Sequence, residues 1–584
     1  MSSLAMRARQ AEQEVDDMMK KPTLTSASPW KAAVALGAIA VVLPASTAAA
    51  AADTAAAPTA APPAAVEPGE ETITTVTRVG FAPPAQPPGR GEEAQGPFAR
   101  LVIQNATIID GTGAPPQGPV NIVIENDRIV AIASRGTGSF PLAKVATDAQ
   151  TRVIDAKGKF VLPGFIDTHV HTGTPTHALG GGSMTDADYV FKLWLAHGVT
   201  TVRDVGAING LKWSLDLKRR SAAGELTAPR MQVFVALPEA VATAEIARSW
   251  VRAIRQKGAD GVKMLGGRPE VISATIDEAH KLGMKTAFHH AQVSVTRTNA
   301  LDSARMGLDS LEHWYGLPEV MFEDRRVQHY PDDYLYNDEQ KRFQQAGRLW
   351  MQAAAPGSDK WKSTIAELVR LGLTLSPTFT VYEANRDLMR ARKAEWFDEY
   401  TMPYMLRAFQ PSHTVHGSYF FDWTTADEIA WKANYQRWMT FVRDYRNAGG
   451  RVTTGSDSGF IYGVYGFGYI RELEMLQEAG FHPLEVMRAA TLSGAELLGI
   501  DKLTGTIEVG KKADLVIVDD NPLANFKVLY GTAALRIDEA TGKPGSEGGI
   551  RYTIRDGIVY DAKLMLAQVR EMVAARKAKE AAQK

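Results

Sequence analysis

Five segments of this chain carry potential metal ligands, although they are far apart in sequence. His169 and His171 form an H-x-H pair, and alternate residues of a β-strand point to the same side, so both imidazoles can reach one cation. Imidazole nitrogens and carboxylate oxygens are the usual ligands of hydrolytic zinc sites. Each further candidate is weak alone, and the signal is their shared position near the ends of predicted strands. These candidates are Lys263, His289 or His290, His313 and Asp457.

Eight short apolar segments, separated by helical patterns such as residues 243–259, must position these side chains. Strands that alternate with helices predict an α/β fold with a parallel (β/α)8 barrel, which we expect over residues 163–500. The strands of such a barrel bring their C-terminal ends to one face, where the candidate ligands would meet. The predicted strands are 165–171, 199–205, 231–237, 261–265, 285–290, 309–313, 373–379 and 451–457.

Two connections inside this barrel, residues 314–372 and 380–450, are longer than one helix with its loops. The second is rich in aromatic residues. Because the loops after barrel strands build the active-site face, we expect these insertions to form lids or specificity walls. The alternative is that they pack as extra helices or form an oligomer contact.

Strand-like segments with β-branched residues flank the barrel on both sides, over residues 99–162 and 501–565. They predict one small β-domain assembled from both ends of the chain, with the barrel inserted into it. Residues 566–584 are rich in Ala, Lys and Glu and predict a solvated C-terminal helix.

The N-terminal region has the composition of a targeting segment followed by a linker. The apolar run 32–43 is shorter than the ~20 residues of a membrane-spanning helix, and small residues follow it. Residues 1–52 are therefore predicted to be a signal peptide with an extended leader, which implies a secreted or periplasmic protein. Residues 53–98, rich in Ala and Pro, predict a disordered, mobile linker.

Composition excludes several classes of protein. The 65 basic and 66 acidic residues give a net charge of -1, which argues against a nucleic-acid binder held by a broad basic surface. The absence of cysteine excludes disulfides, thiolate metal sites and a cysteine nucleophile. We expect a small-molecule or short peptide substrate, no nucleic-acid partner and no stable membrane insertion after signal cleavage. A homo-oligomer is left open.

Seven motifs carry a resemblance to a known family. They are VLPGFIDTHVH (161–171), HGVTTVRD (197–204), GADGVKM (258–264), HHA (289–291), SLEH (310–313), TTGSD (453–457) and TGTIEVGKKADLVIV (504–518). With these motifs the chain resembles the amidohydrolase superfamily, and within it the imidazolonepropionase-like and prolidase-like metal-dependent hydrolases. The resemblance implies a (β/α)8 TIM-like barrel with a small β-sandwich formed from segments before and after it.

The resemblance also implies two divalent metal ions, zinc by default. A hydroxide bridging the two metals would attack a carbonyl carbon, with Asp457 as general base and then general acid. His290 is preferred to His289 because it directly precedes Ala291, as in the family's H-A pattern. The implied ligands are His169, His171 and Asp457 for one ion, His290 and His313 for the other, and Lys263, carboxylated by carbon dioxide, as the bridge.

The resemblance implies an enzyme that hydrolyses a carbon–nitrogen bond, first of all in dipeptides or N-acyl amino acids. The alternatives are a cyclic amide or imide hydrolase or a lactonase, a deaminase with one metal, and a non-catalytic barrel scaffold. MQVFVALPEAV (231–241) lacks the Gly/His-containing turn of prolidase-like proteins, which puts peptidase specificity in doubt. Two residues are candidates for substrate contact. They are Arg203, near the end of the predicted strand 199–205, and Tyr382, which follows the predicted strand 373–379.

Overall fold

A computed structural model describes residues 82–134, 144–417 and 420–583. The predicted signal peptide and residues 53–81 of the predicted linker lie outside the described residues. Within the described part, no helix combines the length and the hydrophobicity needed to cross a bilayer.

In the described part of the chain, nineteen strands make up three sheets. In chain order they are β1 (Ala94–Gln95), β2 (Arg100–Ile108), β3 (Gln117–Glu125), β4 (Arg128–Ser134), β5 (Arg152–Asp155), β6 (Phe160–Pro163), β7 (Phe165–Val170), β8 (Val199–Gly206), β9 (Arg230–Ala236), β10 (Gly261–Met264), β11 (Lys285–Phe288), β12 (Ser310–Glu312), β13 (Thr374–Ser376), β14 (Arg451–Val452), β15 (Leu515–Val518), β16 (Ala534–Ile537), β17 (Pro544–Glu547), β18 (Ile550–Arg555) and β19 (Ile558–Asp561).

Strands β7 to β14 form the predicted parallel barrel, each pairing with the next in chain order. Backbone hydrogen bonds close it, because the Thr168 amide donates to the Thr454 carbonyl at 2.9 Å and the Asp457 amide donates to the His169 carbonyl at 2.9 Å. Every residue of β7 and β8 is buried, as expected for strands covered on both faces. The predicted strand positions are correct, but β13 and β14 end well before the predicted 379 and 457.

Helices separate the barrel strands and fill both insertions. They are Pro175–Gly181, Ala187–Ala196, Leu211–Ala222, Ala244–Lys257, Pro269–Lys281, Ala300–Arg305, Leu317–Val320, Glu339–Ala346, Asp359–Arg370, Glu383–Arg392, Phe397–Tyr400, Pro403–Ala408, Thr425–Asn447, Phe467–Glu478, Pro483–Ala490, Leu492–Leu498 and Ala562–Ala581.

The insertions are therefore largely helical. Their aromatic residues form part of the main hydrophobic core, where Trp314, Trp350, Trp431 and Trp438 are all fully buried. We expect this part of the core to be rigid, because close-packed aromatic rings leave little room for rearrangement.

Strands from both ends of the chain share one nine-stranded sheet beside the barrel, in the order β1-β19-β18-β15-β6-β2-β3-β4 with β5 paired to β2. Strand β15 runs antiparallel to β6, with Val516 opposite Leu162, so the segment after the barrel is joined directly to the segment before it. The division of these strands into a two-layered sandwich stays a prediction.

The structure differs from the predictions for both ends of the chain. Residues 82–98 do not form a free linker, since β1 pairs with β19 and the Trp213 indole donates to the Pro84 carbonyl at 2.9 Å. The C-terminal helix Ala562–Ala581 buries Met565 and Val569 rather than being solvated all round. Both segments fasten the small sheet to the barrel.

Candidate metal centre

A buried cluster of nitrogen and oxygen ligands lies at the C-terminal ends of the barrel strands. Donor atoms of His169, His313 and Asp457 all lie within 4.8 Å of one another. The Nε2 atom of His169 lies 3.8 Å from Asp457 Oδ1, and His313 Nε2 lies 3.6 Å from Asp457 Oδ2. His171 follows His169 by two residues and points to the same side, with its Nε2 atom 3.4 Å from Asp457 Oδ1. The structure thus brings together four of the six predicted ligands, namely three imidazoles and the Asp457 carboxylate on which they converge.

The backbone turns sharply where the later strands deliver their ligands. His313 and Asp457 both have left-handed backbones, with φ of 60° and 45°. A non-glycine residue held in this region costs on the order of 1–3 kcal/mol and is a common feature of functional sites. The Asp457 amide is fixed by the His169 carbonyl, so the barrel closure itself sets the position of the carboxylate.

Lys263 lies in the middle of β10 and is 3% exposed. Its Nζ atom has no hydrogen-bond partner in the described part of the chain. Burial lowers the pKa of Lys263 to about 8, because an ammonium group is poorly solvated there. A buried amine without a partner is rare in proteins and points to a missing ligand or a chemical modification.

The structure corrects the choice between the tandem histidines. The ring of His289 lies 4.8 Å from that of His313, whereas His290 stacks on Phe288 and its Nε2 atom lies 2.9 Å from Ser303 Oγ. His290 therefore lies in the packing behind the strand, and His289 reaches the cluster.

Strand register explains this result. Lys263 and Ala287 are paired neighbours on the parallel strands β10 and β11, so their side chains point to the same side. His289 follows Ala287 by two residues and shares that side, while His290 points to the other. This register is a tertiary feature that the sequence does not give, and it favours His289 where the H-A pattern favoured His290.

Arg203, predicted to contact substrate, is instead a positioning residue. Its guanidinium is fully buried and donates to Glu312 Oε1 at 2.7 Å, to Ser310 Oγ at 2.7 Å and to the Thr168 carbonyl. The other carboxylate oxygen of Glu312 lies 2.5 Å from Nδ1 of His169. The Arg203–Glu312 pair therefore holds the His169 ring so that Nε2 faces the cluster, as carboxylates often do for metal-binding histidines.

Glu312 was missed by the sequence analysis. The available signal was an acidic residue in the middle of a predicted buried strand, two residues after a serine whose hydroxyl lies on the same side. Burial alone would raise the pKa of Glu312, but the charges of Arg203 and Lys263 hold it below its usual value. Glu312 is therefore ionised at neutral pH and can accept a hydrogen bond from Nδ1 of His169.

Tyr382, the second predicted substrate residue, lies at the edge of the cluster. It ends the short 3-10 helix Phe379–Tyr382 after β13, and its ring packs edge-on to His313 at 5.7 Å. His416 from the second insertion approaches the cluster through Phe460, whose ring lies 5.6 Å from the ring of His416 and 6.1 Å from that of His171. The insertions thus form part of the wall around the cluster.

The protonation states suit a cation site. Burial keeps the pKa of His169 and His313 well below the ordinary value and lowers that of His171 to about 3, so these imidazoles are neutral. Burial also raises the pKa of Asp457 to about 7. A nearby cation would favour the carboxylate form and lower that pKa again.

The donor set fits divalent metal ions. Neutral imidazoles and a carboxylate are zinc-type ligands, and the buried Asp457 Oδ1 and Lys263 Nζ atoms have no hydrogen-bond partner among the described residues. Unpaired buried polar atoms that converge in this way are best explained by a cation between them.

Comparisons with known proteins agree with this fold. A family model described as "Amidohydrolase family" matches residues 437–579. The imidazolonepropionase of Symbiobacterium thermophilum is 25% identical over 457 residues, 72% of this chain and 91% of that protein. An adenine deaminase of Listeria monocytogenes is 34% identical over 152 residues, 25% of this chain. The chain spans only 22% of the length of that deaminase and 35% of that of a Desulfotalea psychrophila adenine deaminase.

Solved structures share the architecture over most of the chain. The crystal structure of a putative prolidase from Bifidobacterium longum has a TM-score of 0.51 and 22% identity, covering 81% of this chain and 99% of that one. The ochratoxinase of A. niger has a TM-score of 0.50 and 16% identity, covering 80% and 96%. At these identities the likeness concerns the fold.

Proposed function

We propose that this chain is a metal-dependent hydrolase of the amidohydrolase superfamily that cleaves an amide or peptide carbon–nitrogen bond. The observation that carries the proposal is the buried cluster at the barrel's C-terminal face, where three imidazoles converge on Asp457. Without a cation in the cluster, nothing would offset the free-energy cost of burying the Asp457 carboxylate, so a purely structural role does not explain the arrangement.

The proposed ligands differ from the predicted set by one residue. We assign His169, His171 and Asp457 to one divalent ion, and His289 and His313 to a second. Lys263 would bridge the two as a carbamate. In that reaction the neutral Nζ lone pair attacks the carbon of carbon dioxide, so that a C–N bond forms while one C=O π bond opens to leave the negative charge on oxygen, and one proton passes from the nitrogen to solvent water. Burial favours this step, because it increases the neutral fraction of the amine.

A divalent ion bound here would polarise a carbonyl oxygen and make a water molecule acidic near neutral pH, with zinc as our first choice. Asp457 would take the proton from that water and pass it to the leaving nitrogen. The backbone contact with His169 holds the Asp457 main chain in place at the closure of the barrel. The Arg203–Glu312 pair keeps His169 oriented throughout.

Dipeptides and N-acyl amino acids are the first substrates to test, on the strength of the prolidase-like motifs, with cyclic amides, imides and lactones next. The segment related to adenine deaminases favours deamination as a second candidate. A deaminase would release ammonia and commonly uses one metal ion. The secreted or periplasmic location predicted from residues 1–52 is part of the proposal, and N-terminal sequencing of the native protein would test it.

The test is hydrolysis of a substrate panel by the protein before and after chelation. We expect carbon–nitrogen cleavage that chelator removes and Zn²⁺, Mn²⁺ or Co²⁺ restores. The panel contains dipeptides, N-acyl amino acids, cyclic amides, lactones and adenine. Ammonia release from adenine as the dominant reaction would replace hydrolysis by deamination. Metal-free protein with undiminished activity, or metal-loaded protein without activity on any compound, would contradict the proposal.

A further inference from the structure

A cavity of about 1000 Å³ lies apart from the candidate metal centre. Its walls come from the second insertion, the helix Phe467–Glu478, the segment 519–551 and the C-terminal helix Ala562–Ala581. None of the proposed metal ligands lines it. Clefts of roughly 300–1000 Å³ commonly hold small molecules, which a few placed polar groups select. The side chains of the walls therefore indicate what this cavity binds.

Aromatic rings form one wall of the cavity. Trp396 from the second insertion stacks on Phe467, with the ring centroids 4.9 Å apart and the planes 11° from parallel, and it packs against Tyr530 at 4.4 Å. Phe467 and Tyr530 are buried, whereas Trp396 is half-buried, so part of its indole remains accessible in the lining. A flat apolar ring can extend this stack, since aromatic groups favour offset-stacked neighbours.

The charge of the lining is positive. Seven basic and four acidic side chains belong to it. Glu474 and Asp561 pair with lining arginines without lining the cavity themselves, and the excess of positive charge persists when both carboxylates are counted. A cleft with one predominant sign of charge concentrates ions of the opposite sign. The lining therefore favours an anionic ligand.

Lys563, in the first turn of the C-terminal helix, joins this positive charge to the aromatic wall. The side chain is half-buried, and its Nζ atom donates to the carbonyl oxygens of Gly531 at 2.7 Å and Gly548 at 2.5 Å. Because Gly531 directly follows Tyr530, the first of these bonds holds the ammonium group next to the aromatic rings. An ammonium group has three N–H donors, so one remains for a ligand.

The charge of Lys563 is only partly compensated by its neighbours. Burial lowers the pKa of the Lys563 ammonium, and the charges of Asp519 and Asp561 only partly oppose this shift. Both carboxylates are engaged by other cations, since Asp519 accepts a hydrogen bond from Lys159 and Asp561 lies 3.3 Å from Nη2 of Arg551. Three cations thus share two carboxylates, and an anion beside Lys563 would balance the group.

A second cation lies on the same face of this helix. Leu566 and Arg570 follow Lys563 by three and seven residues, and all three side chains line the cavity. Arg570 is exposed, and its ion pair with Glu399, at 3.8 Å, is weak because water screens it. The positive end of the helix dipole adds to the attraction for an anion near Lys563.

We propose that this cavity is a second ligand site, separate from the metal centre, and that it binds a small anionic aromatic compound. The ring of the ligand would stack on the accessible part of Trp396. Its anionic group would accept a hydrogen bond from Lys563, with Arg570 adding positive charge beside it. The inference does not depend on the proposed hydrolytic function, because the two sites share no lining residue among the metal ligands.

Calorimetric titration of the metal-loaded protein with two matched probes tests the charge preference. Naphthalene-2-sulfonate and methyl 2-naphthyl sulfone have the same ring system and nearly the same size, but only the sulfonate is charged. We expect the sulfonate to bind about tenfold or more tightly, as hydrogen bonds to a charged group predict. Equal affinity for the two probes, or no binding of either, would overturn the proposal.

Three variants locate the site. Lys563→Met keeps the aliphatic part of the side chain and should lower the affinity for the sulfonate by about tenfold, with little effect on the neutral sulfone. Trp396→Leu should lower the affinity for both probes by about fivefold, because the aromatic stacking is lost. Arg570→Met changes an exposed position and should lower the affinity for the sulfonate alone, by about threefold.

Two controls separate this cavity from the metal centre and from general effects of charge. Lys577 lies on the same helix and also donates to a main-chain carbonyl, that of Asp398, but it does not line the cavity, so Lys577→Met should bind both probes like the unchanged protein. Chelator-treated protein should bind the sulfonate as tightly as metal-loaded protein does.

Thermal unfolding shows whether each variant is folded. If Lys563→Met is not, Trp396→Leu and Arg570→Met decide the question, because neither residue holds main-chain carbonyls as Lys563 does. Loss of sulfonate binding on chelation would place the anion at the metal centre and overturn the proposal. Unchanged affinity in every folded variant would overturn it as well.

Discussion

Asp457→Asn is expected to lower kcat by about a thousandfold with little change in the fold, because general acid–base catalysis contributes on the order of 10²–10⁴. The amide keeps the size of the carboxylate but cannot accept the proton of a water molecule or pass it to a leaving nitrogen. It is also a poorer metal ligand, so elemental analysis should accompany the kinetics. Thermal unfolding should show a transition close to that of the unchanged protein.

A matched control is Asp204→Asn. Asp204 is also a buried carboxyl on a barrel strand, but it accepts a hydrogen bond from the Thr172 hydroxyl at 2.8 Å and is not among the clustered ligands. This variant should retain its metal and most of its activity. Equal losses in both variants, or full activity and metal content in Asp457→Asn, would contradict the role assigned to Asp457.

Replacing the tandem histidines one at a time should have opposite effects on metal content. His289→Ala should lose bound metal and reduce activity by about 100-fold or more, as expected when a group that orients or binds a metal is removed. His290→Ala should retain metal. It should instead lower the free energy of unfolding by about 1–3 kcal/mol, because the hydrogen bond to Ser303 and the stacking on Phe288 are lost.

Metal content, activity and the thermal midpoint of each variant decide this comparison, and each variant is the control of the other. Loss of metal in His290→Ala with full metal in His289→Ala would restore the original choice and contradict the strand register. The prediction therefore tests the geometry of β11 as well as the ligand set.

The barrel could be predicted because its signals are local. Apolar runs such as 165–171 and 199–205 are long enough to be recognised, and they match β7 and β8 to within one residue. The last strands could not be bounded in this way. Residues 453–457 (TTGSD) follow β14 directly and were predicted as its continuation, but they leave the strand to close the barrel and deliver Asp457.

The site was predictable in type rather than in detail. Single residues such as His169 and Asp457 follow from motifs, whereas the roles of Glu312 and Arg203 depend on a contact between β8 and β12 that no local pattern encodes. Contacts of this kind are set by tertiary structure, which sequence spacing alone does not reveal.

A two-metal site bridged by Lys263 is tested most directly by elemental analysis of the purified protein and of Lys263→Ala. We expect about two divalent ions per chain, falling to one or fewer in the variant, with ¹³C-labelled carbon dioxide giving a carbamate signal only in the unchanged protein. One ion per chain that is unaffected by Lys263→Ala, with no carbamate signal, would contradict it.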